Sequence, residues 1–353
     1  MMCIWRFLLL ATLLIGGCAI VGPASISNGR LVYTEVINYT GDQQVLNMIV
    51  RDRYAQTFGM LTVASVTATV RFRANAGAEF RAGASASSVD SNLVPLSAGV
   101  AYEENPTISY IPLQGEAFMR RMLMPITLEQ AFLVRAAATG KFVGRELYLS
   151  TNGVQNPVGG PPSPEFQRLE DIHAELELTG AIYYGRAPAP APGEAEYYVS
   201  LHDYGVEHTD DVQAYLEILG IEGQTVDGRD IVIPIYLAPG KRKNAINVLT
   251  RTALDWIRHA GSMIDVPAAH LDEGIVEPSD WEQGKERFIT IHSSKKRPKN
   301  AVVEVAFRGW WYYIDASDMR SKRSFQLIKF LIGLRLDEKG TEQQIPILTV
   351  PVG

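Results

Sequence analysis

At 353 residues, 46% hydrophobic and 20% charged, the chain has enough apolar side chains for one large domain or two ordinary ones, which excludes a disordered reading. Its formal net charge of −6 excludes the basic footprint that non-specific nucleic-acid binding relies on. Met1–Gly17 carries Arg6 and no acid, so the rest of the chain holds 32 basic against 39 acidic residues, or −7.

The N-terminus reads as a signal peptide over 1–17. A positive charge at Arg6 precedes Phe7–Ile15, an apolar run interrupted only by Thr12. That run is too short for a permanent span, which needs ~20 apolar residues. The junction Ile15-Gly16-Gly17-Cys18 resembles the bacterial lipobox, in which small residues admit the signal peptidase and the cysteine thiol takes a diacylglyceryl group. Cys3 leaves with the signal, so the mature chain has one cysteine, at its first position, and no intramolecular disulfide. Cys18 is therefore the expected lipid attachment site. Ala19, not Asp, follows it, which in lipoproteins of Gram-negative bacteria points to the outer membrane, with the body on the periplasmic side. Residues 18–41 read as a lipidated N-terminus and tether, with a short strand around Leu31–Ile37.

Thr40-Gly41-Asp42-Gln43 has the side chains of a helix start, and Val45, Leu46, Ile49, Val50 and Tyr54 recur behind it at helical spacing, predicting a helix to about Ala55. Arg51, Asp52 and Arg53 read as a solvated helix end. Val66, Ala68, Val70 and Phe72 alternate with polar residues as in a half-buried strand. Asn75–Gly99, rich in Ala, Ser and Gly, predicts a loop or a weak edge hairpin. A strand at Thr107–Ile111 and helices at Gly115–Leu123 and Leu128–Ala138 follow. Arg120 and Arg121 read as surface charges. A short strand at Glu146–Ser150 leads to a helix at Pro164–Leu178, with His173 as a satisfied surface group on its flank.

The run 186–196, RAPAPAPGEAE, favours extended polyproline geometry and is either a linker between lobes at 42–185 and 197–353 or a long surface loop. Beyond it come a strand at Tyr197–Leu201, a helix capped by Thr209-Asp210-Asp211, and a strand at Ile231–Leu237. His202, Asp203, His208, Asp210 and Asp211 match no metal-ligand spacing, so no metal and no cofactor is expected. Asn244 predicts a helix to Ala260 with Gly261 as terminator, and Trp256 as core. Asp265–Gln283 gathers His270, Asp272, Glu273 and Asp280 without a nucleophile motif.

Phe288–His292 and Val302–Arg308 read as a hairpin whose tip carries Lys295, Lys296, Arg297 and Lys299, a possible contact loop for lipid phosphate or an acidic partner. Gly309 permits a bulge before Trp310–Tyr313. A helix follows with Phe325, Ile328, Leu331 and Ile332 for packing and an Asp318–Lys322 pair at its start.

Phe307-Arg308-Gly309-Trp310-Trp311-Tyr312-Tyr313-Ile314-Asp315, then Asp318, Ser321-Lys322, Phe325 and Pro346-Ile347-Leu348-Thr349-Val350-Pro351, resembles a family of uncharacterised bacterial lipoproteins. Leu46-Asn47-Met48-Ile49-Val50-Arg51-Asp52-Arg53-Tyr54 resembles that family's other signature, with Asp52 in an otherwise apolar slot. The resemblance implies an exported, lipid-anchored protein and no reaction.

These readings give an α+β fold: a mixed, largely antiparallel sheet with about six helices packed mainly on one face. They give a non-enzymatic binding or scaffolding role in the envelope, with the membrane, an envelope protein, peptidoglycan or anionic lipid as partners and no nucleic acid. The alternatives are a hydrolase using acids of 265–280 with a nearby histidine, and small-ligand binding between two lobes.

Overall fold

The computed structural model describes residues 18–78, 96–137, 142–188, 190, 194–281, 287–336 and 348–351, so 1–17, where a signal peptide is expected, most of the Ala/Ser-rich stretch 75–99 and part of the Pro/Ala run lie outside the described residues. The fold is α+β, with a mixed six-stranded sheet and two antiparallel three-stranded sheets.

Among the described residues the first element is helix α1, Cys18–Arg53. The expected strand at Leu31–Ile37 and the tether before it are helical instead. Val45, Leu46, Met48, Ile49 and Val50 are fully buried, against helix α7 (Ala253–Ser262) and strand β10 (Ala301–Phe307). Burying each such aliphatic side chain stabilises by ~1.5–3 kcal/mol. Once that half is fixed, each further residue adds a hydrogen bond without a new nucleus, and the helix extends towards Cys18. Thr40 does not cap it; its hydroxyl donates to the Val36 carbonyl at 2.8 Å, one turn back.

The chain divides into two compact units, unlike the expected lobes. One comprises 1–58 with 115–339, the other 59–114 with 340–353. The second is built on a long antiparallel ribbon, β1 (Met60–Ala78) and β2 (Leu96–Leu113), with β12 (Leu348–Pro351) beside β2 at Thr107–Tyr110.

In the first unit, α2 (Gly115–Leu123), α3 (Leu128–Ala137) and α4 (Phe142–Leu147) precede β3 (Tyr148–Thr151) and β4 (Val154–Gln155). Helix α5 (Pro164–Leu178) is capped by Ser163, whose hydroxyl accepts from the Phe166 amide, and has Pro164 in its first turn, where the missing N–H costs nothing. Strands β5 (Ile182–Arg186) and β6 (Tyr197–Leu201) pair directly. The run 186–196 therefore joins neighbouring strands of one sheet and is a loop, not a boundary between lobes. After α6 (Thr209–Leu219) come β7 (Ile231–Leu237) and β8 (Ile246–Thr250), giving the order β4-β3-β8-β7-β6-β5 with β7 and β8 parallel. Ile231, Ile233 and Ile235 are buried while Val232, between them on the opposite face, is exposed, so β7 packs one face.

Ile246–Thr250 is thus a strand, where a helix from Asn244 is expected. The helix α7 starts at a capping box: Thr252 Oγ accepts from the Asp255 amide, and Asp255 accepts from the Thr252 amide at 2.8 Å. Gly261 lies inside α7, and a Cβ there would meet the Ile49 carbonyl oxygen at 3.4 Å, so the glycine lets α7 and α1 approach closely.

The short α8 (Ala268–Asp272) leads to β9 (His292–Ser294), β10, β11 (Trp310–Asp315) and α9 (Met319–Leu336). The hairpin is β10–β11, turned at Arg308 (φ 49°) and Gly309 (φ 75°), the two positive φ values of a tight two-residue turn. β9 pairs with β11, so the basic loop connects two strands that are not neighbours. Asp318 caps α9, accepting from the Ser321 amide at 3.0 Å, while Lys322 Nζ donates to the Ala316 carbonyl instead of pairing with Asp318.

Candidate functional site

The end of α1 brings its residues to a cleft. Ala55 holds φ 52°, the Ala55 amide donates to the Asp52 carbonyl and the Gln56 amide to the Arg51 carbonyl, the paired bonds of a Schellman stop. Asp52, Arg53, Arg258, Ser262 and Glu277 line a cleft of about 460 Å³ between this end, α7 and the segment after α8. Arg258 Nε lies 4.0 Å from Asp52 Oδ1, and Arg53 Nη2 donates to the Glu277 carbonyl. Arg53 Nε is buried without a hydrogen-bond partner. Burial pushes the Asp52 carboxyl up against the opposing pull of Arg258, and pushes the Arg53 guanidinium down. The cleft can offer two guanidinium groups and a carboxylate, the donors and acceptor that recognise a polar, charge-bearing ligand or peptide.

Behind the cleft, Tyr54 Oη lies 2.7 Å from His270 Nδ1 and 2.6 Å from Tyr312 Oη, all three side chains being buried. Burial lowers the His270 pKa and raises those of Tyr54 and Tyr312. A neutral imidazole accepting at Nδ1 gives one consistent chain: Tyr312 donates to Tyr54, and Tyr54 donates to His270. Phe307 packs on Tyr54 at 5.2 Å and Trp310 on His270 at 5.9 Å. This group fixes the angle at which α1 meets the β10–β11 hairpin.

A second polar cluster is sealed. Arg135, 3% exposed, donates to Glu170 and Glu177 at 3.0 Å each, and Tyr184 donates to Glu177 at 2.7 Å. His173 bonds Tyr215 at 3.0 Å and also Tyr184, so it is a buried connector and not the expected surface group. Burial would raise the Glu177 pKa, but its bond from His173 and the charge of Arg135 override this and hold it at about 2. A Cβ on Gly144 would lie 1.6 Å from Glu170 Oε2. The remaining space, about 20 Å³, admits one water at most, so the cluster is a structural pin.

The expected site residues are dispersed. Among the described residues no three His, Cys, Asp or Glu side chains are placed to hold a metal ion. His202 pairs with Asp203 at 3.3 Å, and Asp211 with Arg168 at 3.3 Å. Asp272, Glu273 and Asp280 are exposed. Asp265 and His292 do meet, at 3.1 Å, but Arg287 shares Asp265 at 2.5 Å. The hydrogen bond that His292 donates to Asp265 raises the His292 pKa, which favours an ion pair over a free base. Lys295, Lys296, Arg297 and Lys299 are exposed; Arg297 pairs with Glu304 at 2.6 Å, and Lys295 Nζ sits 4.4 Å over Trp310. Arg120 pairs with Glu116 on the surface and Arg121 donates to the Leu336 carbonyl.

Asp52 and Arg53 thus line a cleft where a solvated helix end is expected. The signal that points to them is Asp52 itself, a charge in a helical row otherwise apolar. Compared with family models, curated proteins and solved structures, the chain matches none.

Proposed function

We propose that the protein is a lipid-anchored envelope protein, held to the outer membrane through Cys18 on the periplasmic side, with a non-enzymatic binding or scaffolding role. The observation that carries this reading is the continuity of α1: the residue that the lipobox designates for acylation begins a helix of 36 residues, about 54 Å long, whose last turn lines the charged cleft. Such a helix would set the cleft at a fixed distance from the lipid. The exposed Lys295, Lys296, Arg297 and Lys299 would add a contact for lipid phosphate or an acidic envelope partner.

Photo-cross-linking in intact cells from Glu277, at the cleft rim, tests the binding role. A defined partner band, lost in Arg258→Glu and kept in Lys241→Ala, is expected; a free monomer under all conditions contradicts it. A second reading, small-ligand binding, is favoured by the cleft's volume of about 460 Å³, a size that suits small molecules.

A further inference from the structure

The charges along the cleft at the end of α1 do not satisfy one another. Arg53, Arg258, Asp52 and Glu277 place two positive and two negative groups around about 460 Å³. Arg258 Nε lies 4.0 Å from Asp52 Oδ1, whereas a closed guanidinium–carboxylate bond is ~2.8 Å long. Among the described residues neither of these two side chains makes a hydrogen bond. Asp52 is nonetheless only 19% exposed, so little water is left to serve its carboxylate. It also stands in the last turn of α1, the negative end of the helix dipole, where an acid is disfavoured. The neighbouring polar groups are occupied: Arg53 Nη2 donates to the Glu277 carbonyl, and Ser262 Oγ donates to the His259 carbonyl at 2.6 Å and accepts from Trp281 Nε1 at 3.1 Å. Asp52 and Arg258 are the acceptor and the donor that still need partners.

We propose that the cleft binds a free α-amino acid with an apolar side chain, its ammonium against Asp52 and its carboxylate against Arg258. The proposal rests on the small-ligand reading of the cleft and names the ligand class. An anion meets the like charges of Asp52 and Glu277, and a cation those of Arg53 and Arg258, whereas a zwitterion finds a partner for each of its ends. The spacing selects a compact zwitterion, because an acceptor and a donor 4.0 Å apart call for ligand charges that are also close together. In an α-amino acid both charged groups are bonded to one carbon and stand about 2.5 Å apart, while the two ends of a peptide separate by roughly 3.3 Å per residue.

The surroundings of each group agree with these roles. The negative end of the α1 dipole adds attraction for an ammonium beside Asp52. Arg258, its side chain 56% exposed, is free to turn its planar fork towards a carboxylate and hold it through two parallel bonds. Ile275 and Val276 complete the wall and suit an apolar side chain.

The test is calorimetric titration of the full mature chain in detergent with L-leucine, with isocaproate, which is leucine without its ammonium, and with isoamylamine, which is leucine without its carboxylate. Leucine is expected to bind roughly 10- to 150-fold more tightly than either analogue, the factor that one charge-assisted contact supplies. Either analogue binding as tightly as leucine, or no binding by leucine, valine or phenylalanine, overturns the proposal. Two variants read the charges separately. Asp52→Asn is expected to weaken leucine binding and to raise the affinity for isocaproate several-fold, since the like charge that repels an anion is gone; Arg258→Gln is expected to weaken leucine binding and to raise the affinity for isoamylamine. Neither gain can come from loss of the fold, and equal weakening of all three probes in a folded variant contradicts the assignment. Arg120→Ala, at an exposed residue that does not line the cleft, should change none of them. The wild-type comparison of the three probes decides by itself if a variant does not fold. Failure of leucine to bind while the partner cross-linked from Glu277 persists rejects the amino acid and leaves the binding role standing; leucine bound with no partner band keeps the amino acid and rejects the scaffold.

Discussion

Tyr54 ties the end of α1 to residues 216 and 258 positions further along the chain, because its one hydroxyl serves both His270 and Tyr312. Tyr54→Phe removes that hydroxyl and leaves two buried polar partners without it, a loss of about 2 kcal/mol in urea unfolding. A loss within a few tenths would mean that the chain of hydroxyls is not formed. Glu177 makes a pH-dependent contribution of known sign. Its folded pKa of about 2 lies below its ordinary value of 4.5, so its stabilisation is complete above pH 4.5 and disappears as the pH falls through 2. The stability of the wild type should therefore drop over that window more steeply than that of Glu177→Gln, as read from unfolding midpoints at stepped pH; parallel curves would remove Glu177 from the account. Neither cluster was visible as such in the sequence. His173 and His270 each stand alone there, and only folding supplies the tyrosines that bond them.

At the scale of the elements, those with several turns of one period were legible: α2, α3, α5 and α6 lie where apolar rows and caps predict them. Short runs were not. Ile246–Thr250 is five residues long, and its apolar positions fit a helical row continued by Ala253, Trp256, Ile257 and Ala260 as well as they fit a strand. The capping box at Thr252 and Asp255 was the local mark of the true helix start, and it sets the turn from which Arg258 lines the cleft. Helix α1 was missed at Leu31–Ile37 because large apolar side chains there gain little burial: Leu31, Val32 and Val36 are more than half exposed, so helix there depends on propagation from the buried half. Its C-terminal stop holds an alanine in the left-handed region, which costs an L-residue ~1–2 kcal/mol and a glycine little. Ala55→Gly is expected to raise stability by about 1 kcal/mol in thermal or urea unfolding, and a decrease would contradict the left-handed stop.

For the whole molecule, the α+β class followed from irregularly mixed helix and strand signals, but the division into units did not. The Pro/Ala run looked like a boundary by composition, yet a hairpin loop between β5 and β6 needs no core and tolerates the same residues. The second unit is built on the ribbon, whose weakly apolar, Ala-rich strand sequences carry little periodic signal, and among its described residues it holds one sheet and no helix. The proposed anchor at Cys18 is joined to the cleft by α1. The mass of the N-terminal peptide of the mature protein, purified from membranes, tests it most directly. A peptide that begins at Cys18 and carries a diacylglyceryl group is the predicted result; one that begins elsewhere, or begins at Cys18 with a free thiol, would contradict the central claim.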